Sequence, residues 1–112
     1  MTDKTDKKIE AEVTREVTNI FEDRKRKLGV DASLDLKITR SVWGAPIVGG
    51  NVYGEAFPFE KPPRVWIEVF VPDATKKEII KTLCHELIHI QYPKLKEDSE
   101  GFKKKVQTCI RK

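Results

Sequence analysis

The 112-residue chain holds two histidines, and they stand four positions apart in the run His85-Glu86-Leu87-Ile88-His89. On a helix this spacing puts one imidazole a turn above the other on the same face, where both can bind one metal ion. Zinc is the expected ion, one per chain, because it accepts imidazole ligands and can keep a coordination position open for water. The carboxylate between the histidines has a different part. Glu86 is expected to act as general base on a water polarised by the metal.

A catalytic zinc needs a third protein ligand. The chain has no further histidine, and its two cysteines lack ligand spacing, so a carboxylate must serve. Glu97, Asp98 and Glu100 follow the motif just beyond Pro93. A final helix is expected to start near Asp98 and turn Phe102, Val106 and Cys109 or Ile110 inward. Asp98 lies four residues before Phe102 on that inward stripe and ranks first. Glu97, reaching from the preceding loop, ranks second, and Glu100, which points away, third. An acidic first turn complementing the helix dipole would account for any two of them without a metal.

The element carrying the motif is well marked. Asp73 or Thr75 can cap it, and Glu78 stands three residues after Thr75 as in a capping box. Pro93 disfavours helical geometry at Tyr92, which predicts an end near Gln91. At about 100° per residue, Ile80, Leu83, Cys84, Leu87 and Gln91 share one sector flanked by Ile79 and Ile90, and both histidines face the other way. Their neighbours on that side are Glu78, Thr82 and Tyr92. In a chain with 36% charged residues, a face so poor in fixed charge suits the wall of a cleft better than a solvated surface.

Upstream, residues 6–28 repeat apolar positions at Ile9, Val13, Val17, Ile20, Phe21 and Leu28, which predicts an amphipathic scaffold helix ended by Gly29. Residues 33–40 alternate apolar and polar side chains as a half-buried strand does. The glycine-rich residues 42–51 are expected to form a loop or a broken strand, and residues 52–57 and 64–71 two more strands separated by Pro58, Pro62 and Pro63. The result is one α+β domain covering residues 1–112.

Composition sets outer bounds. Lys and Arg number 22 against 18 Asp and Glu, a balanced charge that suits a soluble surface better than a dedicated nucleic-acid binder. No apolar run approaches a membrane span, and the N-terminus lacks the apolar core of a signal peptide, so a cytoplasmic location is expected. Cys84 and Cys109 can meet between two packed helices, but the expectation is two small, buried, unpaired side chains. The segment from Phe102 onward carries Lys103, Lys104, Lys105, Arg111 and Lys112 and no acid. A solvated helix face is the expected reading, ahead of a phosphate-binding one.

The order helix, three strands, H-E-x-x-H helix and short final helix resembles the zincin metallopeptidases. The specific residues are His85-Glu86-Leu87-Ile88-His89 and Glu97-Asp98-Ser99-Glu100-Gly101-Phe102. Among zincins the chain looks like the minigluzincins and the minimal catalytic domains of SprT-like proteases. The resemblance implies a small mixed, twisted three-stranded sheet, zinc on His85 and His89, Glu86 acting on the water, and a carboxylate from the last helix. SprT-like domains place a histidine before the phenylalanine of that helix, whereas Gly101 precedes Phe102 here, which favours the glutamate-type arrangement.

The family also aligns an extended peptide on a sheet-edge strand, a role that falls to residues 52–57 with Gly54, Glu55 and Ala56 as substrate-binding positions. The implied activity is hydrolysis of a peptide or protein substrate. Tyr53 and Tyr92 are unranked candidates for a second oxyanion donor. Such small zincins can be latent, their cleft filled by a partner subunit through self-association or by a chain terminus, here Ile110-Arg111-Lys112. A different class stands as the alternative, a zinc-binding, nucleic-acid-associated module without turnover that would use the basic last helix.

Overall fold

The computed structural model describes residues 2–40, 51–71 and 73–112, with side chains from Lys7 onward. Helix α1 (Thr2–Leu28) leads into strands β1 (Ser33–Arg40), β2 (Val52–Phe57) and β3 (Arg64–Val71), followed by helices α2 (Lys76–Gln91) and α3 (Glu100–Arg111). The three strands have the bounds that the sequence predicts. The first helix begins four residues before its expected start, and the expected loop over residues 42–51 lies outside the described residues except for Asn51.

Gly29 ends α1 by taking φ +68°, a left-handed conformation that costs glycine little. Its N–H reaches the Arg26 carbonyl at 3.2 Å and that of Val30 the Lys25 carbonyl at 3.1 Å, closing a Schellman motif. The Leu28 carbonyl accepts from the Gln91 side chain at 3.0 Å, which joins the ends of α1 and α2.

The sheet is mixed, with strand order β1-β3-β2. β1 runs parallel to β3, and β2 runs antiparallel to it. Central β3 buries Val65, Ile67, Val69 and Val71 on one face, under Val17 and Phe21 of α1 and Ile79, Leu83, Leu87 and Ile90 of α2. Each such fully buried aliphatic side chain contributes roughly 1.5–3 kcal/mol. Helices thus cover one face of the sheet and fix α2 lengthwise beside β2.

Thr75 caps α2 and forms the expected capping box with Glu78. Glu78 does more than close the box. One carboxylate oxygen accepts the Thr75 N–H at 2.9 Å and the other the Asn51 N–H at 3.2 Å, which ties the start of β2 to the start of α2. These backbone donors, Thr75 first and then Asn51, hold the Glu78 carboxyl below its ordinary pKa.

The apolar sector of α2 is wider than the sequence implies. A second cluster of Cys84, Ile88, Phe102, Val106 and Cys109 joins α2 to α3 on the flank away from β2. Within it Cys84 and Cys109 form a disulfide, their Cα atoms 5.7 Å apart. The expectation of unpaired cysteines is therefore corrected: the inward stripe of α3 brings Cys109 directly against Cys84. The bond closes a loop spanning 25 positions, for which the chain-entropy estimate is about 3 kcal/mol of stabilisation. Reduction, or a Cys84→Ala/Cys109→Ala double variant, should lower the urea midpoint by an amount equivalent to about 3 kcal/mol. An unchanged midpoint under reductant would show that the bond does not contribute.

Candidate metal site and cleft

Because α2 is buried on both flanks, it leaves a narrow open stripe carrying His85 and His89. Their side chains are 32% and 24% exposed, and their ring centroids lie 4.9 Å apart. Phe102, itself 1% exposed, forms the wall behind them, with its ring centroid 5.0 Å from that of His85 and 4.5 Å from that of His89. The sequence marks Phe102 only as an inward residue of α3. Its contact with both imidazoles follows from the packing of two helices and has no local sequence signal.

Glu97 completes the group. Its Oε1 accepts from His85 Nε2 and lies 3.5 Å from His89 Nε2. One donor atom from each of the three side chains lies within 4.8 Å of the others, and among the described residues this is the group able to hold a metal ion. Two imidazoles and a carboxylate form a donor set suited to zinc, and a tetrahedral ion with bonds of about 2.0–2.1 Å would separate its ligands by roughly 3.4 Å. The 3.5 Å between Glu97 Oε1 and His89 Nε2 matches that figure, and an ion bound there would part the direct hydrogen bond between Glu97 and His85.

The preference for Asp98 is corrected here, since the structure brings Glu97 and neither Asp98 nor Glu100 into the group. Ser99 is the N-cap of α3, its side chain accepting from the Phe102 N–H at 3.2 Å. Asp98 therefore precedes the helix, and the helical phase that placed it on the inward stripe does not apply. A serine followed by an acidic first-turn residue is an N-cap signal in the sequence and would have placed Asp98 outside the helix.

Glu86 lies on the flank of α2 that faces β2 and is only 7% exposed. Burial, then the nearby Glu97 and Glu55 carboxylates, push its carboxyl up to about 7. Burial, followed by the charge of His85, lowers the pKa of His89 against the opposing pull of Glu97. The His85 hydrogen bond is the main cause holding Glu97 below its ordinary value.

Gly54 makes this burial possible. A Cβ on residue 54 would sit 2.8 Å from Thr82 Cγ2 and 2.9 Å from Glu86 Cγ, closer than real side chains approach. β2 can lie this close to the helix only with glycine at that position. The strand is also the sheet's edge: it pairs with β3 and, among the described residues, with no other strand. Gly54, Glu55 and Ala56 line a hollow with Glu86, His89 and Glu97. All three predicted substrate positions thus border the metal group.

The two tyrosines separate. Tyr53 lines the adjoining hollow beside His85 and Glu86. The Tyr92 ring lies under the Lys105 ammonium, 4.2 Å from nitrogen to centroid, and borders a different hollow next to α3. Nor does the C-terminal segment fill the cleft. The Lys112 carbonyl accepts from Lys27 of α1 at 2.7 Å, and Ile110 packs against the cluster between α2 and α3.

Compared with protein-family models, curated proteins and solved structures, the chain matches none. Among the described residues no helix is long and apolar enough to cross a membrane.

Two measurements test this geometry. Zinc titration should show Glu97→Ala weakening binding by at least tenfold, while Asp98→Ala and Glu100→Ala stay near wild type; an Asp98→Ala loss equal to that of Glu97→Ala would refute the assignment. Gly54→Ala should cost about 1–3 kcal/mol through overpacking, and adding Thr82→Ser, which removes the nearest methyl, should recover part of it. Strict additivity of the two changes in thermal melts would show that the close approach is absent.

Proposed function

We propose that the chain is a zinc-dependent metallopeptidase that hydrolyses peptide bonds. The observation that carries this reading is the His85–His89–Glu97 donor group placed beside a buried carboxylate, Glu86, and a strand, β2, that forms the sheet's edge among the described residues. Structural zinc sites bring four protein ligands, whereas three leave a position for water or substrate. The H-E-x-x-H spacing and the resemblance to small zincins support the same choice.

Zinc bound there would supply a Lewis acid that polarises a carbonyl and makes a coordinated water acidic. His85, His89 and Glu97 would hold the ion. Glu86 takes the proton of the attacking water at its carboxylate and delivers it to the nitrogen of the leaving amine. β2 offers to an extended substrate the main-chain N–H and C=O groups of its outer edge, which pair with no strand among the described residues, a grip that does not depend on the substrate's side chains. We place the activity in the cytoplasm, as the sequence suggests. A buried disulfide marks an oxidising compartment or a cell interior in which such bonds persist.

Glu86→Gln decides the matter, because a general base can be removed without touching a ligand. Elemental analysis should find zinc retained in the variant, and cleavage of an unfolded protein substrate should fall by about 10²–10⁴-fold. Wild-type cleavage by the variant would sink the mechanism, and a wild-type protein that binds no zinc would sink the metal assignment.

A further inference from the structure

We propose that Lys81 makes this cleft select peptides with an acidic side chain within two residues of the cleaved bond. The inference rests on the peptidase reading and assigns its substrate class. The hollow beside the metal group, about 300 Å³, lies between the start of β2 and the first half of α2 and adjoins His85 and Glu86. Among the described residues Lys81 is the one lysine or arginine that lines it, in company with Glu78 and Glu86.

Both Glu78 oxygens are taken by backbone N–H groups of Thr75 and Asn51. The Glu86 carboxylate is held against Gly54, and the Thr82 methyl faces the same residue. Lys81 is exposed, borders the hollow, and has no ion-pair partner among the described residues.

The opposite end of the cleft has no such cation among the described residues. There Glu55 and Glu97 border the second hollow, and Glu86 is shared between the two. An extended peptide lying between β2 and α2 therefore meets the one lysine of the cleft at one end, beside Glu78, and carboxylates without a cation at the other. Lys81 stands one helical turn before His85, about 5.4 Å along the axis, and an extended chain advances about 3.3 Å per residue. The position facing Lys81 is thus the first or second from the bond held at the metal group. A carboxylate there gains a charged partner, and a lysine or arginine meets repulsion.

The test uses zinc-loaded full-length protein and peptide pairs that differ only by Glu or Lys at each position flanking the bond. Wild type should favour Glu at one of these positions by about fivefold in kcat/KM, a difference that shrinks as salt rises. Lys81→Ala should remove the preference and Lys81→Glu reverse it, with thermal melts unchanged because the side chain is exposed. Binding of the same peptides to zinc-loaded Glu86→Gln, followed by fluorescence anisotropy, separates this inference from the one beneath it. Charge-selective binding that follows the residue at position 81, without cleavage by wild type, overturns the peptidase and keeps the selectivity. Cleavage or binding indifferent to peptide charge, or a preference unmoved by Lys81→Glu, overturns the selectivity.

Discussion

Three consecutive residues of α2 face three different surroundings, and the structure depends on that division. With about 100° between neighbours, Cys84 turns to α3, His85 to the open stripe and Glu86 to β2. Each side has its own fastening. Cys84 is bonded to Cys109, His85 is backed by Phe102, and Glu86 is enclosed where Gly54 lets the strand come close. The lower face of the same helix meets the sheet through Ile79, Leu83, Leu87 and Ile90. A helix held on three sides cannot roll, and the orientation of the imidazoles follows from packing in which they take little part.

That fastening explains how so short a chain can keep a polar group open. Exposed histidines on a free helix would sample several rotamers and lose side-chain freedom on meeting an ion. Here Phe102 closes the space behind both rings, and the helix flanks close the space beside them. Glu86 shows the complementary effect. The close strand removes its water, and burial, more than any neighbouring charge, raises its pKa. Open ligands and a shielded carboxylate one residue away require a strand on one side of the helix and a second helix on the other.

Much of this was legible because it is periodic. Alternation and the bounding prolines place the strands, and the capping box of α2 and the proline after it bracket the helix. The two histidines opposite an apolar sector identify the face that opens. What periodicity does not carry is the relation between elements. It gives neither the central place of β3 nor its parallel pairing with β1. It merges two apolar stripes of α2, one for the sheet and one for α3, and so leaves the disulfide unread. Gly54 reads in the sequence as a small residue near the middle of a strand; that a helix carboxylate lies against it is a tertiary fact.

The third member of the metal group sits where periodicity ends. Glu97 belongs to the connection between α2 and α3, and a side chain on such a segment is placed only as well as the segment is anchored. The anchors are local and numerous: the Leu95 N–H binds the Tyr92 carbonyl at 3.0 Å, the Ser99 N–H binds the Lys96 carbonyl at 3.0 Å, and the Ser99 hydroxyl donates to that same carbonyl at 2.6 Å. Leu95 also packs into the cluster between the helices. A carboxylate on the helix proper would have its direction fixed by helical phase and its distance by the interhelical packing, with little room to adjust. On an anchored turn it can reach both histidines while α3 stays seated on Cys84 and Ile88. The loop origin of Glu97 is thus the solution that lets one short helix serve as wall and fastening while the segment before it supplies the ligand.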